Sequence, residues 1–141
     1  MIRACDIFKS YGSSDNSLPV LRGISLDIEE GEFAVILGAS GSGKSTLLNV
    51  LSGLETPDKG DVFYGEKKIT GLGESELTQF RKEYVGFIFQ QYYLLPHMNV
   101  DKNEKMGADL SGNKDYRVMI KAVGLGDKLE KLPGELRSVE K

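Results

Sequence analysis

The sequence predicts an α/β fold, and three observations carry the prediction. Residues Phe33-Ala34-Val35-Ile36-Leu37 form an unbroken apolar run, which reads as a strand covered on both faces, as in a parallel sheet. Directly after it, Gly38-Ala39-Ser40-Gly41-Ser42-Gly43-Lys44-Ser45-Thr46 fits the phosphate-loop pattern G-x-x-x-x-G-K-[ST] in full. A helix-like run from Leu47 to Leu54 leaves the loop, which completes the strand-loop-helix context that the pattern requires.

The elements follow in order. Arg3 to Lys9 mixes apolar and charged positions as a half-exposed strand does, and Tyr11 to Ser17 is a polar turn region. From Val20 to Ile28 a second strand is expected, because Ile24, Leu26 and Ile28 alternate with Ser25 and Asp27. Glu29 to Glu32 turns the chain into the apolar run. After the loop, Leu47, Leu48, Val50, Leu51 and Leu54 mark one helix face, with Gly53 as a stop. Thr56-Pro57-Asp58-Lys59-Gly60 is a turn by composition. A short hairpin is expected next, with arms Asp61 to Tyr64 and Lys67 to Thr70 around Gly65-Glu66, followed by a helix from Glu74 to Lys82 with Leu77 and Phe80 inward. Tyr84 to Phe89 reads as another strand, ending at Gln90-Gln91. Tyr92 to Met98 is apolar, aromatic and broken by Pro96, which leaves a partner surface and plain core packing both open. A weak helix from Asn99 to Leu110 and a firmer one from Lys114 to Val123 come next, the latter with Val118, Met119 and Ala122 available for burial and Gly124 as stop. Asp127 to Lys131 adds a turn, and nothing in Leu132 to Lys141 predicts order.

The loop carries the chemistry. Gly41 and Gly43 free the backbone to aim N–H groups at a polyphosphate on a helix N-terminus. Lys44 then reaches the outer phosphates, Ser45 offers a hydroxyl to Mg²⁺, and Thr46 adds a phosphate hydrogen bond. The expected ligands are therefore a nucleotide and Mg²⁺.

Composition bounds the alternatives. The 141 residues are enough for one domain or part of one, with 40% apolar residues to build a core. A net charge of −3, from 18 basic and 21 acidic residues without a long basic run, disfavours nucleic acid as partner. Cys5 is the single cysteine, which excludes an internal disulfide and suits a reducing cytoplasm; with one histidine, His97, there is no metal-ligand cluster. His97 is expected at the surface. The longest apolar run is about five residues, against the ~20 a membrane span needs, and the start of the chain lacks the apolar core of a signal peptide.

With these residues in place the chain resembles the ATP-binding subunits of ABC transporters. The likeness rests on Leu21-Arg22-Gly23-Ile24-Ser25-Leu26-Asp27-Ile28, Gly31-Glu32-Phe33, the loop with Leu47-Leu48-Asn49, and Phe89-Gln90-Gln91-Tyr92. Together these blocks are most similar to the subgroup that exports macrolides and antimicrobial peptides or releases lipoproteins. The resemblance implies a P-loop NTPase fold: an antiparallel β subdomain plus a core sheet with helices, of which residues 1–136 are an N-terminal, incomplete part. It also implies roles. Gly38, Ser40, Gly41, Ser42, Gly43, Lys44, Ser45 and Thr46 become the Walker A loop, and Tyr11 the aromatic that stacks on adenine. Gln90 becomes the Q-loop glutamine touching Mg²⁺ and the attacking water, so Lys44 and Gln90 are the catalytic candidates and Ser45 and Gln90 the metal ligands. The plain alternatives are a turn tyrosine at a core edge for Tyr11 and a polar residue closing a strand for Gln90. The implied partners are a transmembrane permease subunit and a second ATPase subunit, in a homodimer or heterodimer at the inner face of the cell membrane.

The likeness has a limit. In the family the segment like Leu132-Pro133-Gly134-Glu135-Leu136 runs into the LSGGQ signature, then the Walker B strand with its catalytic Glu, and the switch histidine. Here Arg137 to Lys141 form a divergent tail. The expectation is MgATP binding with little or no turnover, since no general base is evident, in a truncated chain that is marginal or aggregation-prone. The competing readings are a non-enzymatic remnant or partner-binding fragment, and a GTPase switch. For the latter, Asn113-Lys114-Asp115-Tyr116 falls one aspartate short of N-K-x-D, and Asp109-Leu110-Ser111-Gly112 matches D-x-x-G without a preceding buried strand.

Overall fold

Alternating apolar residues near the start of the chain form the expected antiparallel pair: Ile2–Tyr11 (β1) runs beside Leu18–Ile28 (β2), with Ala4 opposite Leu26 and Ile7 opposite Ile24. The computed structural model describes residues 1–13, 16–90, 92–112 and 115–137. Its chain divides into two units, Met1–Gly86 and Phe87–Lys141.

In the first unit β1 also pairs with Lys59–Tyr64 (β3), which pairs with the short Lys67–Lys68 (β4), giving the antiparallel order β2-β1-β3-β4. The expected second hairpin arm is thus only two residues of strand. Beyond it Ile69 N–H still donates to Val62 O at 2.9 Å, while Val62 N–H turns to the Thr70 hydroxyl. Helix α1 spans Lys44–Leu51 and α2 spans Glu74–Tyr84. Leu47, Val50, Leu51 and Phe80 from these helices close over Ala4, Ile7, Leu21, Val62 and Ile69. Phe80 is fully buried and meets Tyr64 edge-on at 4.7 Å. A buried phenylalanine of this kind contributes on the order of 3 kcal/mol. Arg81 Nη1 donates to Gly53 O at 2.7 Å, which ties α2 to the end of α1.

Two expected strands do not form among the described residues. Residues 33–37 are irregular and form no ladder: Ile36 packs against the core, whereas Phe33, Val35 and Leu37 are 90%, 63% and 87% exposed. The segment Val85–Phe89 behaves likewise, with Val85 against the core and Ile88 fully exposed. The reason is that an apolar run becomes a strand only when neighbours satisfy its N–H and C=O groups, and no described strand lies beside either segment.

In the second unit Val100–Ser111 (α3) starts at Asn99, whose side chain accepts from Lys102 N–H, and ends at Gly112. Tyr116–Ala122 (α4) packs beside it. Val100, Ile120 and Leu136 form the core. This corrects the burial expected for the fourth helix: Ile120 is inward, while Val118, Met119 and Ala122 are exposed. Its first expected residue, Lys114, lies outside the described residues. Order also extends further than the charged end suggests. Pro133–Glu135 form a 3-10 turn, Glu135 Oε2 accepts from Leu132 N–H at 2.7 Å, and Leu136 is buried. Asn103 fastens the irregular stretch before α3, bonding both the N–H and the C=O of Leu95 and the C=O of Met98. His97 is exposed, as expected.

Candidate functional site

The loop lies between residues 33–37 and α1. Gly41 and Gly43 both adopt positive φ, 77° and 89°, which a side chain would strain. At Gly43 space also forbids a side chain, since a Cβ would stand 2.9 Å from Val20 Cγ1. The backbone therefore approaches β2 closely and enters the helix with its first N–H groups uncapped by any side chain. No acidic residue occupies the first turn of α1, so the positive end of the helix dipole is left for an anion.

Lys44 is half-buried and curls over the loop. Its ammonium donates to Gly38 O at 2.9 Å and Ala39 O at 2.7 Å, with Ser42 Oγ at 3.5 Å. A cation is thereby held at the loop, where a phosphate oxygen suits it better than a carbonyl dipole. Ser45 is exposed and Thr46 half-exposed beside it. A cleft of about 240 Å³ is lined by Val20, Gly41, Gly43, Lys44, Ser45 and Thr46. An adjoining one of about 320 Å³, lined by Leu18, Pro19, Val20, Arg22, Gly41 and Ser42, shares Val20 and Gly41 with it. A glycine cradle, an uncapped helix start, a lysine and two hydroxyls fit a polyphosphate with Mg²⁺, for which Ser45 would offer a hydroxyl ligand.

Tyr11 reaches this site from the end of β1. Its hydroxyl is 3.3 Å from Thr46 Oγ1 and 2.7 Å from Glu55 Oε2, and Lys9 Nζ stands 5.7 Å from its ring centroid. Burial raises the phenol above its ordinary value; Thr46 opposes this and Glu55 adds to it. The structure thus brings Tyr11 together with Gly38 to Thr46 in one unit. Gln90 belongs to the other unit, where it is exposed just after Phe89; its neighbour Gln91 lies outside the described residues. Glu55 and Val20 were not legible as site residues. Glu55 stands 44 residues from Tyr11 in sequence, and no periodicity connects them; the only local sign is its place just before the Thr56-Pro57 turn.

A roomier cleft of about 350 Å³ lies between α3 and α4, lined by Ala108, Met119, Ile120, Val123 and others. Its walls are chiefly apolar and include no phosphate cradle. Among the described residues no group of acidic, histidine or cysteine side chains could hold a metal ion.

Comparison with known proteins agrees with the geometry. An uncharacterized ABC transporter ATP-binding protein of Methanocaldococcus jannaschii, MJ1508, is 41% identical over 142 residues, covering 96% of this chain and 63% of its own length. The lipoprotein-releasing system ATP-binding protein LolD of Acinetobacter baylyi is 38% identical, covering all of this chain and 65% of its own. Among solved structures, the ATP-binding cassette MJ0796, a dimer bound to ADP and Pi, superposes with a TM-score of 0.85 at 28% identity, covering 97% of this chain and 63% of that one. The chain thus spans a little under two thirds of the length of these relatives. The family model described as "ABC transporter" matches residues 21–138, and on that match the chain belongs to the ABC transporter family, in the ATP-binding part that carries the phosphate loop.

Proposed function

We propose that residues 1–136 form the MgATP-binding portion of an ABC transporter ATPase subunit. The observation that carries this reading is the Gly38–Thr46 cradle at the start of α1, with the Lys44 ammonium held at it. In this reading the loop N–H groups and Lys44 bind the β- and γ-phosphates, Ser45 ligates Mg²⁺, and Thr46 donates to a phosphate oxygen. Tyr11 offers its ring to the adenine, where stacking adds about 1–3 kcal/mol. Gln90, by the family likeness, would offer the metal and the attacking water an amide that does not titrate. Bound Mg²⁺ supplies charge neutralisation of the phosphates; the residues named here hold and orient. No carboxylate among these residues is placed to take a proton from water, so binding with little turnover is the expected behaviour of this stretch.

The wider role is coupling ATP to export across a membrane. The chain then acts at the inner face of the cell membrane through a transmembrane permease subunit and as one half of an ATPase homodimer or heterodimer. The kinship with a lipoprotein-releasing ATP-binding protein and with a dimeric cassette supports this. No described helix is long and apolar enough to cross a membrane. Titration with a fluorescent ATP analogue, competed by ATP and by GTP, tests the proposal. Saturable Mg²⁺-dependent binding competed by ATP is expected; preference for GTP, or binding unaffected by Lys44→Ala, sinks it.

A further inference from the structure

The side chain that holds Tyr11 lies outside the phosphate-loop pattern. Glu55 follows α1, and its N–H donates to Asn49 O at 3.1 Å, which fixes it to the helix that begins at the loop. Its carboxylate faces β1, with Oε1 3.5 Å from Lys9 Nζ and Oε2 2.7 Å from the Tyr11 hydroxyl. Lys9 also donates to Thr56 O at 2.8 Å, and Ser10 N–H donates to Asp58 Oδ2 at 2.6 Å. The end of β1 is therefore tied to the turn at the two residues just before Tyr11. The Lys9 and Glu55 side chains are only 16% and 22% exposed, so water and salt screen them less than an ordinary surface pair.

Proton bookkeeping gives the arrangement a direction. Tyr11 has one phenolic proton, and an ionised carboxylate can only accept. The short contact to Glu55 takes that proton, so the hydroxyl contact with Thr46 is made with the Thr46 proton. Glu55, the shorter of the two contacts, thus fixes the tip of the Tyr11 ring.

We infer that Glu55, supported by Lys9, is a positioning residue of the nucleotide site: through the Tyr11 hydroxyl it holds the aromatic ring in place for the base. This rests on the reading of Gly38–Thr46 and Tyr11 as an ATP site. The role is selective, because it acts on a ligand that carries a base and hardly on phosphates alone.

The test titrates the wild type, Glu55→Ala, Glu55→Gln, Tyr11→Phe and the Tyr11→Phe/Glu55→Ala double variant with MgATP and with magnesium tripolyphosphate, which has no base. Glu55→Ala is expected to weaken ATP about tenfold and tripolyphosphate less than about threefold. Tyr11→Phe, which keeps the ring and loses the hydroxyl, should match it, and the double variant should fall within about twofold of either single one. Glu55→Gln retains an accepting oxygen and should recover most of the ATP affinity, which a purely ionic role beside Lys9 would not allow. Equal losses for the two ligands, additive losses in the double variant, or a Gln variant as weak as the Ala variant each overturn the inference. Should Glu55→Ala not fold, Tyr11→Phe decides, since unchanged ATP affinity there overturns it. A wild type that binds neither ligand overturns the ATP-site reading and this inference together; a wild type that binds both, with Glu55→Ala unaltered, overturns the inference alone.

Discussion

The ammonium of Lys44 lies 2.7 Å from the carbonyl oxygen of Ala39, five residues before it. The loop is thus closed by its own lysine, and the same charge is available to a phosphate oxygen. Lys44→Ala is expected to weaken MgATP by roughly 100-fold. The check is the shift of thermal midpoint by saturating MgATP, present in the wild type and absent in the variant; an equal shift in both would remove Lys44 from the site.

Gly43 combines a φ of 89° with a Cβ direction aimed at Val20. Gly43→Ala should therefore damage both stability and binding, at a cost of about 1–3 kcal/mol in the folded state. Urea titration measures the first and nucleotide titration the second. Gly124 also has a positive φ, 79°, yet a Cβ there would meet nothing within 4 Å. Gly124→Ala should cost less and leave ATP affinity unchanged.

Asp101 sits at the start of α3 and is bonded by Arg117 at 2.9 and 3.0 Å and by the Tyr116 hydroxyl at 3.2 Å. The Arg117 hydrogen bond holds its carboxyl below the ordinary value, with Tyr116 and the charges of Arg117 and Lys105 acting the same way, while the Arg117 guanidinium is pushed up. A carboxylate lowered in the folded state adds stability above its unfolded value and loses it as pH falls through the folded one. Unfolding of the second unit should become easier below about pH 4. Asp101→Asn should flatten that acid limb, and a variant with an unaltered profile would assign the limb to other carboxylates.

Phe33, Val35, Leu37 and Ile88 present apolar surface on backbone that joins no ladder. Such segments are templates for pairing with other chains. The chain by itself should bind an environment-sensitive apolar dye and self-associate with rising concentration. Val35→Thr with Ile88→Thr should reduce both, as read by dye fluorescence and sedimentation velocity, and unchanged behaviour would place the sticky surface elsewhere.

What the sequence disclosed divides along a physical line. The Leu26/Ile28 alternation and the Leu47, Leu48, Val50, Leu51, Leu54 spacing are local signals, and the elements they predict are present, although the helix ends at Leu51 and Leu48 and Leu54 are exposed. Phe33–Leu37 has as strong a strand signal as any, yet strand formation depends on neighbours that residue spacing does not report. The fourth helix shows the converse: three apolar residues were available for its inner face, and docking beside α3 selected Ile120 instead. In the site, the glycines and lysine were legible because phosphate chemistry demands those types at that spacing. Glu55 was not, because its contact with Tyr11 exists only after β1 and the turn after α1 are folded together.

The one-sided packing of Ile36 and Val85 also has a consequence for synthesis. Every buried residue of the first unit's core lies between Ala4 and Phe80, so that core can close while the ribosome is still adding later residues. At ~5–20 residues per second, Leu37 emerges roughly 2–9 s before Phe80. During that interval the outward face of Phe33, Val35 and Leu37 is not covered by the first unit's core.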